Sequence, residues 1–148
     1  MSWEKEIEEL RNREALAEQM GGEEKVSRQH ARSKLDARQR LTKLLDENSF
    51  REIGKIAGRG SYDENGDLTG FSASNFIFGR GTIDGQPVVA SADDFTVRGG
   101  AADAAVHRKF VQAEQMAHEL RLPLIRMIDG TGGGGDGGSG GTDPGTAG

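Results

Sequence analysis

The chain has 148 residues, about the length of one domain, with a formal net charge of −5 and an apolar fraction of only 34%. It has no cysteine, which excludes disulfides, thiol catalysis and a cysteine-based metal site. The acidic balance exerts no global pull toward nucleic acid, and no apolar run approaches the ~20 residues of a membrane span. The opening Ser2-Trp3-Glu4-Lys5-Glu6 is too acidic for a signal peptide, so a soluble cytoplasmic protein is expected.

Residues 3–20 favour a helix, with Trp3, Ile7, Leu10 and Ala17 at three- and four-residue spacings and Gly21-Gly22 to end it. Most other positions in it are charged, which suits a helix lying on another surface. From Lys25 to Lys43 the balance inverts: Lys25, Arg28, Arg32, Lys34, Arg38, Arg40 and Lys43 face the single acid Asp36. This is either a solvated helical face or a site for an anionic, phosphate-bearing ligand. Asp36 has the chemistry of an N-cap, with Gln39 in the capping-box position and Leu41, Leu44 and Leu45 as the buried stripe that follows.

Phe50 to Ile56 predicts a short strand, and residues 58–75 a polar loop with turn chemistry at Asn65-Gly66-Asp67. Residues 76–83 and 88–90, joined through Asp84-Gly85, predict a β-hairpin with a type I′ turn, whose positive φ angles Asp-Gly supplies. Then comes the central pattern. Pro87–Ala92 is an apolar run of strand length, Ala101–Leu120 has helical period, and Pro123–Ile128 is a second apolar run. Val106, Phe110, Ala113, Ala117 and Leu120 form the helix's apolar stripe. Strand, turn, helix, strand is one crossover unit, whose two strands should be parallel neighbours. His107 and His118 share nearly one helix face but lie ~16 Å apart along it, too far to share a metal, so both read as surface residues. From residue 130 onward the chain is Gly-rich, with eleven glycines in the last twenty residues, and disorder is expected beyond about Gly135. Three regions follow: N-terminal helices with a basic segment over 1–34, an α/β unit over 35–129, and a Gly-rich tail over 130–148.

Gly130-x-Gly132-x-x-Gly135 matches a dinucleotide-binding pattern only because glycine is so frequent here, and no helix follows it. Gly54-Lys55 is followed by Ile56, so no P-loop exists. What remains is Gly99-Gly100 at a strand-to-helix junction. Its backbone N–H groups could face an oxyanion, aided by a helix starting at Ala101, or the pair could simply form a tight turn that needs small residues. The spacing leaves both open.

Three stretches resemble the N-terminal part of the biotin-dependent acyl-CoA carboxyltransferases, the β subunits of propionyl-, acetyl- and methylcrotonyl-CoA carboxylases and related decarboxylases. Gln29–Leu41 with Leu44–Glu52 is similar to that family's opening helix and first strand. Gly79–Val89 is similar to its first hairpin, and Asp93–Ala101 with Leu122–Gly133 to its glycine turn and the next strand and loop. The resemblance implies a crotonase-like α/β fold of β-β-α units, here an N-terminal fragment with 35–129 as a partial carboxyltransferase domain. It implies transfer of a carboxyl group between carboxybiotin, carried on a partner carrier protein or biotin carboxylase subunit, and the α-carbon of an acyl-CoA, by a homo-oligomeric protein. No metal, membrane or nucleic acid enters that chemistry. Gly99 and Gly100 would then be backbone donors to an oxyanion, as would Gly132 and Gly133, with Arg28, Arg32, Lys34, Arg38 and Arg40 on the CoA phosphates. Ser33 departs from the family, which usually has glycine there. The family also continues well past residue 148, so this chain is expected to be a fragment, inactive alone. The rival expectation is a non-catalytic assembly piece that docks on a full-length subunit.

Overall fold

The computed structural model describes residues 2–101 and 104–130. Gly132, Gly133 and the Gly-rich tail lie outside them, as does the side chain of Val106. Three helices, α1 (Glu4–Glu18), α2 (Glu23–Ala31) and α3 (Ala37–Leu44), precede the strands β1 (Arg51–Ile53), β2 (Gly58–Tyr62), β3 (Leu68–Ala73), β4 (Phe76–Ile83) and β5 (Gln86–Asp93). Helix α4 (Ala104–Leu120) and strand β6 (Leu124–Met127) follow.

The main sheet has the order β1-β4-β5-β6. The hairpin is as expected: β4 and β5 pair antiparallel from Phe76–Asp93 to Ile83–Gln86, with Asp84 at φ 49° and Gly85 at φ 76° in the turn. β5 and β6 pair parallel, Val89 with Leu124 through Ala92 with Met127, and α4 connects them. The predicted crossover is therefore present.

Strand alternation sorts the core onto two faces. Ile77, Val88, Ala90 and Ala92 pack with Ala37, Leu41 and Leu45 from the α3 side. Phe76, Phe78 and Val89 pack with Ala113 and Ala117 of α4 on the other side. Pro123 follows α4, whose end is closed by Arg121 at φ 54° and by the Leu122 N–H donating to the Ala117 carbonyl at 2.9 Å. His107 and His118 are exposed, as predicted.

One expectation is met and one needs correction. The helix start expected at Asp36 is present: α2 ends at Ala31, Ser33 takes φ 58°, and α3 starts afresh from Asp36. The reason is the cap. The Asp36 carboxylate accepts the Gln39 N–H at 2.8 Å while the Gln39 side chain accepts the Asp36 N–H at 3.1 Å, which fixes a helix start at that point. Residues 58–75 are not a loop but the two-stranded sheet β2–β3. Its turn is where the sequence placed it, with the Asp63 carboxylate accepting N–H groups of Asn65 and Asp67, each at 2.9 Å, and Gly66 at φ 80°. β2 mixes glycines with polar residues and lacks an apolar alternation, and α1 lies against β3.

Candidate functional site

The candidate site lies at the C-terminal ends of the parallel strands β5 and β6, the place where α/β sheets commonly bind ligands. Directly after β5 the chain is locked by Asp94, which is 1% exposed. Its Oδ1 accepts the Thr96 N–H at 2.9 Å and the Thr96 hydroxyl at 2.6 Å, while its own N–H donates to the Asn75 carbonyl at 2.8 Å. Burial pushes the Asp94 carboxyl up from its ordinary value, against the pull of the Thr96 donors. The Asn75 amide donates to the Ala101 carbonyl at 2.7 Å, closing the far side of the turn. Gly21 docks here too: its N–H donates to the Thr96 hydroxyl at 2.9 Å, and a Cβ on it would lie 2.1 Å from the Thr96 carbonyl oxygen. The α1–α2 junction is thereby seated on the central turn, a second role for a glycine the sequence marked only as a helix stop.

Arg98, Gly99 and Gly100 follow with φ of 50°, 61° and 67°, three left-handed residues in a row. The two glycines do different things. Gly100 is pressed against the turn after β6, where a Cβ would lie 2.3 Å from the Asp129 carbonyl oxygen. Its N–H is already bonded to the Val97 carbonyl at 3.1 Å. The Gly99 N–H makes no hydrogen bond to the described residues. The helix does not start at Ala101, which is extended at φ −64°, ψ 137°; α4 begins at Ala104, with 102–103 outside the described residues. The dipole of α4 therefore acts from several residues beyond the glycines instead of from the next one.

The five basic residues separate into three groups. Arg38 forms a two-pronged pair with Glu52, at 2.8 and 3.2 Å, in a part-buried setting. Arg40 donates to the Asp93 carbonyl at 2.8 Å and to the Asp129 carboxylate at 3.2 Å. Both are engaged inside the fold, whereas the other three are not tied to it in this way. Arg28 makes an exposed pair with Glu24 at 2.6 Å, four residues back on α2. Arg32 is exposed, and Lys34 is exposed with its ammonium 5.9 Å from the centre of the Phe95 ring. The junction between α2 and α3 therefore places the Lys34 ammonium beside the turn that follows β5.

Sequence reasoning missed Asp93, Asp129 and Lys109. Asp93 accepts the Asp129 N–H at 3.3 Å, and burial raises its carboxyl above the ordinary range despite that bond. Lys109 is 6% exposed near the Arg38–Glu52 pair, and burial draws its amine down to about 8, with Glu52 opposing and Arg38 adding to the shift. The apolar stripe of α4 gave no sign of it, because Lys109 immediately precedes Phe110 on the helix.

The carboxyl transferase domain profile matches residues 28–142. This chain belongs to the carboxyl transferase family. Over 126 residues, 85% of this chain, it is 35% identical to the methylmalonyl-CoA decarboxylase subunit alpha of Veillonella parvula and 36% identical to the methylmalonyl-CoA carboxyltransferase 12S subunit of Propionibacterium freudenreichii subsp. shermanii. These matches cover 25% and 24% of the two relatives. A crystal structure of transcarboxylase 12S, a hexamer assembly with methylmalonyl-coenzyme A and methylmalonic acid bound, superposes with a TM-score of 0.76 at 34% identity, covering 90% of this chain and 26% of that one. The fold is accordingly the crotonase-like carboxyltransferase fold, here its N-terminal part. The chain spans about a quarter of the length of these relatives. Among the described residues, no helix is long and apolar enough to cross a membrane.

Proposed function

We propose that this chain supplies the acyl-CoA side of a biotin-dependent carboxyltransferase site, within a cytoplasmic oligomeric protein. The reaction would move a carboxyl group between carboxybiotin, on a partner carrier or biotin carboxylase subunit, and the α-carbon of an acyl-CoA. The observation that carries this reading is the Gly99 N–H, which has no acceptor among the described residues, in the turn that follows β5 in a chain of this family. When the α-carbon loses a proton or a carboxyl group, negative charge develops on the thioester oxygen, and a fixed N–H aimed there lowers the barrier. Gly100 serves the same turn by allowing it to close on Asp129. Biotin brings the activated carboxyl; Gly132 and Gly133, outside the described residues, are the positions proposed to face it. Arg32 and Lys34, exposed at the α2–α3 junction, would hold the CoA phosphates, with Arg28 as an outer contributor.

The test is carboxyl transfer from methylmalonyl-CoA to free biotin, run on the full product of the gene that encodes this chain. Propionyl-CoA should appear in step with carboxybiotin, and the ¹⁵N-labelled Gly99 amide of this chain should shift when propionyl-CoA is added. Absence of transfer with malonyl-CoA and methylmalonyl-CoA alike, together with an unmoved Gly99 signal, would overturn the reading. The second reading, a non-catalytic assembly piece, is favoured by the row of Trp3, Ile7 and Leu10, exposed by 63%, 46% and 43% on α1. It predicts that this chain co-elutes with a full-length carboxyltransferase subunit and that Ile7→Glu abolishes the association.

A further inference from the structure

Arg40 stands where the two turns of the site meet. It rises from α3, and one of its terminal nitrogens reaches the Asp93 carbonyl at 2.8 Å and the Asp129 carboxylate at 3.2 Å. Asp93 is the last residue of β5, and Asp129 lies two residues beyond β6. The Asp129 N–H in turn donates to the Asp93 carboxylate, and the Asp129 carbonyl is the atom against which Gly100 packs. One guanidinium therefore closes a loop of contacts running from β5 to Asp129, on to Gly100, and back along the turn to β5.

We propose that Arg40 is a positioning residue, whose guanidinium ties the end of β5 to the turn after β6 and so fixes where the Gly99 N–H lies over a bound acyl thioester. The proposal rests on the carboxyltransferase reading for its consequence in catalysis, but the tie itself is a property of the fold. The side chains of Arg40 and Asp129 are 18% and 22% exposed, so the pair is shielded enough to hold one geometry. A phosphate reaching Arg40 would have to displace both acceptors. Arg32 and Lys34 offer an exposed alternative nearby. Misplacement of a reacting group by about 1 Å costs up to about 10²-fold in rate, and Arg40 governs a displacement of that kind.

The test uses Arg40→Met, Arg40→Lys and Asp129→Asn in the full gene product, read by hydrogen exchange and by steady-state kinetics. In Arg40→Met, exchange over residues 128–130 should accelerate at least about tenfold while the β4–β5 hairpin keeps its protection, since only the local tie is cut. The kcat should fall about 10²-fold with the KM for acyl-CoA within about twofold, and Arg40→Lys should recover part of the loss. A raised KM with kcat retained would make Arg40 a phosphate ligand and overturn the proposal. Faster exchange with kcat unchanged would overturn it as well. If the wild-type protein transfers no carboxyl group, the functional reading fails, and exchange alone decides the tie: acceleration confined to 128–130 supports it and unchanged exchange overturns it. Should Arg40→Met not fold, Arg40→Lys and Asp129→Asn are judged by the same exchange criterion.

Discussion

Replacing Gly100 by alanine should destabilise the protein far more than the same change at Gly66, although both glycines have positive φ. Gly66, at φ 80° in the β2–β3 turn, has nothing within 4 Å of where a Cβ would stand. Alanine there meets only the intrinsic cost of a left-handed backbone, about 1–2 kcal/mol. Gly100, at φ 67°, meets the same cost and also a Cβ 2.3 Å from the Asp129 carbonyl oxygen and 3.2 Å from the Gly130 Cα. Backbone must shift to admit it, at a further cost of about 1–3 kcal/mol, as in other overpacked sites. The total, roughly 2–5 kcal/mol, is a large share of the ~5–15 kcal/mol that holds a typical domain together. Urea unfolding followed by circular dichroism resolves the difference. With a slope of about 1–3 kcal/mol/M, the extra term at Gly100 should lower the midpoint by about 1 M relative to Gly66→Ala. Equal midpoints for the two variants would refute the close approach of the two turns. For the same reason, bulk at Gly100 is a poor probe of oxyanion donors: lost activity would follow from a displaced Asp129 turn even if no donor were removed.

Lys109 should make stability rise between about pH 8 and 10.5. Its folded value, about 8, lies below the unfolded 10.5, so across that window the unfolded chain binds the extra proton. Lys109→Met should therefore gain about 1–3 kcal/mol at pH 7 and flatten the rise, as followed by urea unfolding across pH; an unchanged profile would count against the buried amine. Asp46 accepts the Thr82 hydroxyl and the N–H groups of Asp84 and Gly85, both at 2.9 Å, and these bonds hold its carboxyl below the ordinary 3.8. Its contribution is thus present above that value and is lost as pH falls through the folded value. Asp46→Asn should lower the thermal midpoint at pH 7 and shrink the difference from wild type in acid; an equal deficit at both would contradict the carboxylate's role. Arg32→Ala with Lys34→Ala should raise the acyl-CoA KM about tenfold at unchanged kcat, and an unaltered KM would return both residues to the solvated surface.

The parts of this fold that were legible from sequence are those decided by a few neighbouring residues. Asp84-Gly85 sets the hairpin register through its own positive φ angles, and Asp36 with Gln39 sets a helix start through two reciprocal hydrogen bonds. The crossover was readable because β5 and β6 are apolar runs separated by a helical period. The β2–β3 hairpin was not. Gly58-Arg59-Gly60-Ser61-Tyr62 has no alternation, and at Gly58 the reason lies in tertiary structure, where a Cβ would meet the Ser72 carbonyl oxygen at 2.3 Å. The break after α2 was legible only at its far side: the Asp36 cap marks where α3 starts, while the left-handed Ser33, at φ 58°, carries no sequence signal of its own.

At the site, residue types were legible and their partners were not. Counting charges along Lys25–Lys43 treats seven cations as one surface, yet Glu52 is fourteen residues from Arg38 and Asp129 is eighty-nine from Arg40. Only folding brings those carboxylates in, and it turns two of the presumed ligand-binding cations into braces. The same holds for the glycine pair. A sequence shows two residues that both lack a side chain, but at Gly100 the missing Cβ makes room for Asp129, while at Gly99 it accompanies an N–H with no acceptor among the described residues. Gly100 is therefore required by packing, and the donor role proposed for Gly99 rests on its backbone alone. The two requirements are coupled, because the Asp129 turn that Gly100 admits is the one Arg40 holds. A perturbation at any of the three positions should propagate to the Gly99 donor.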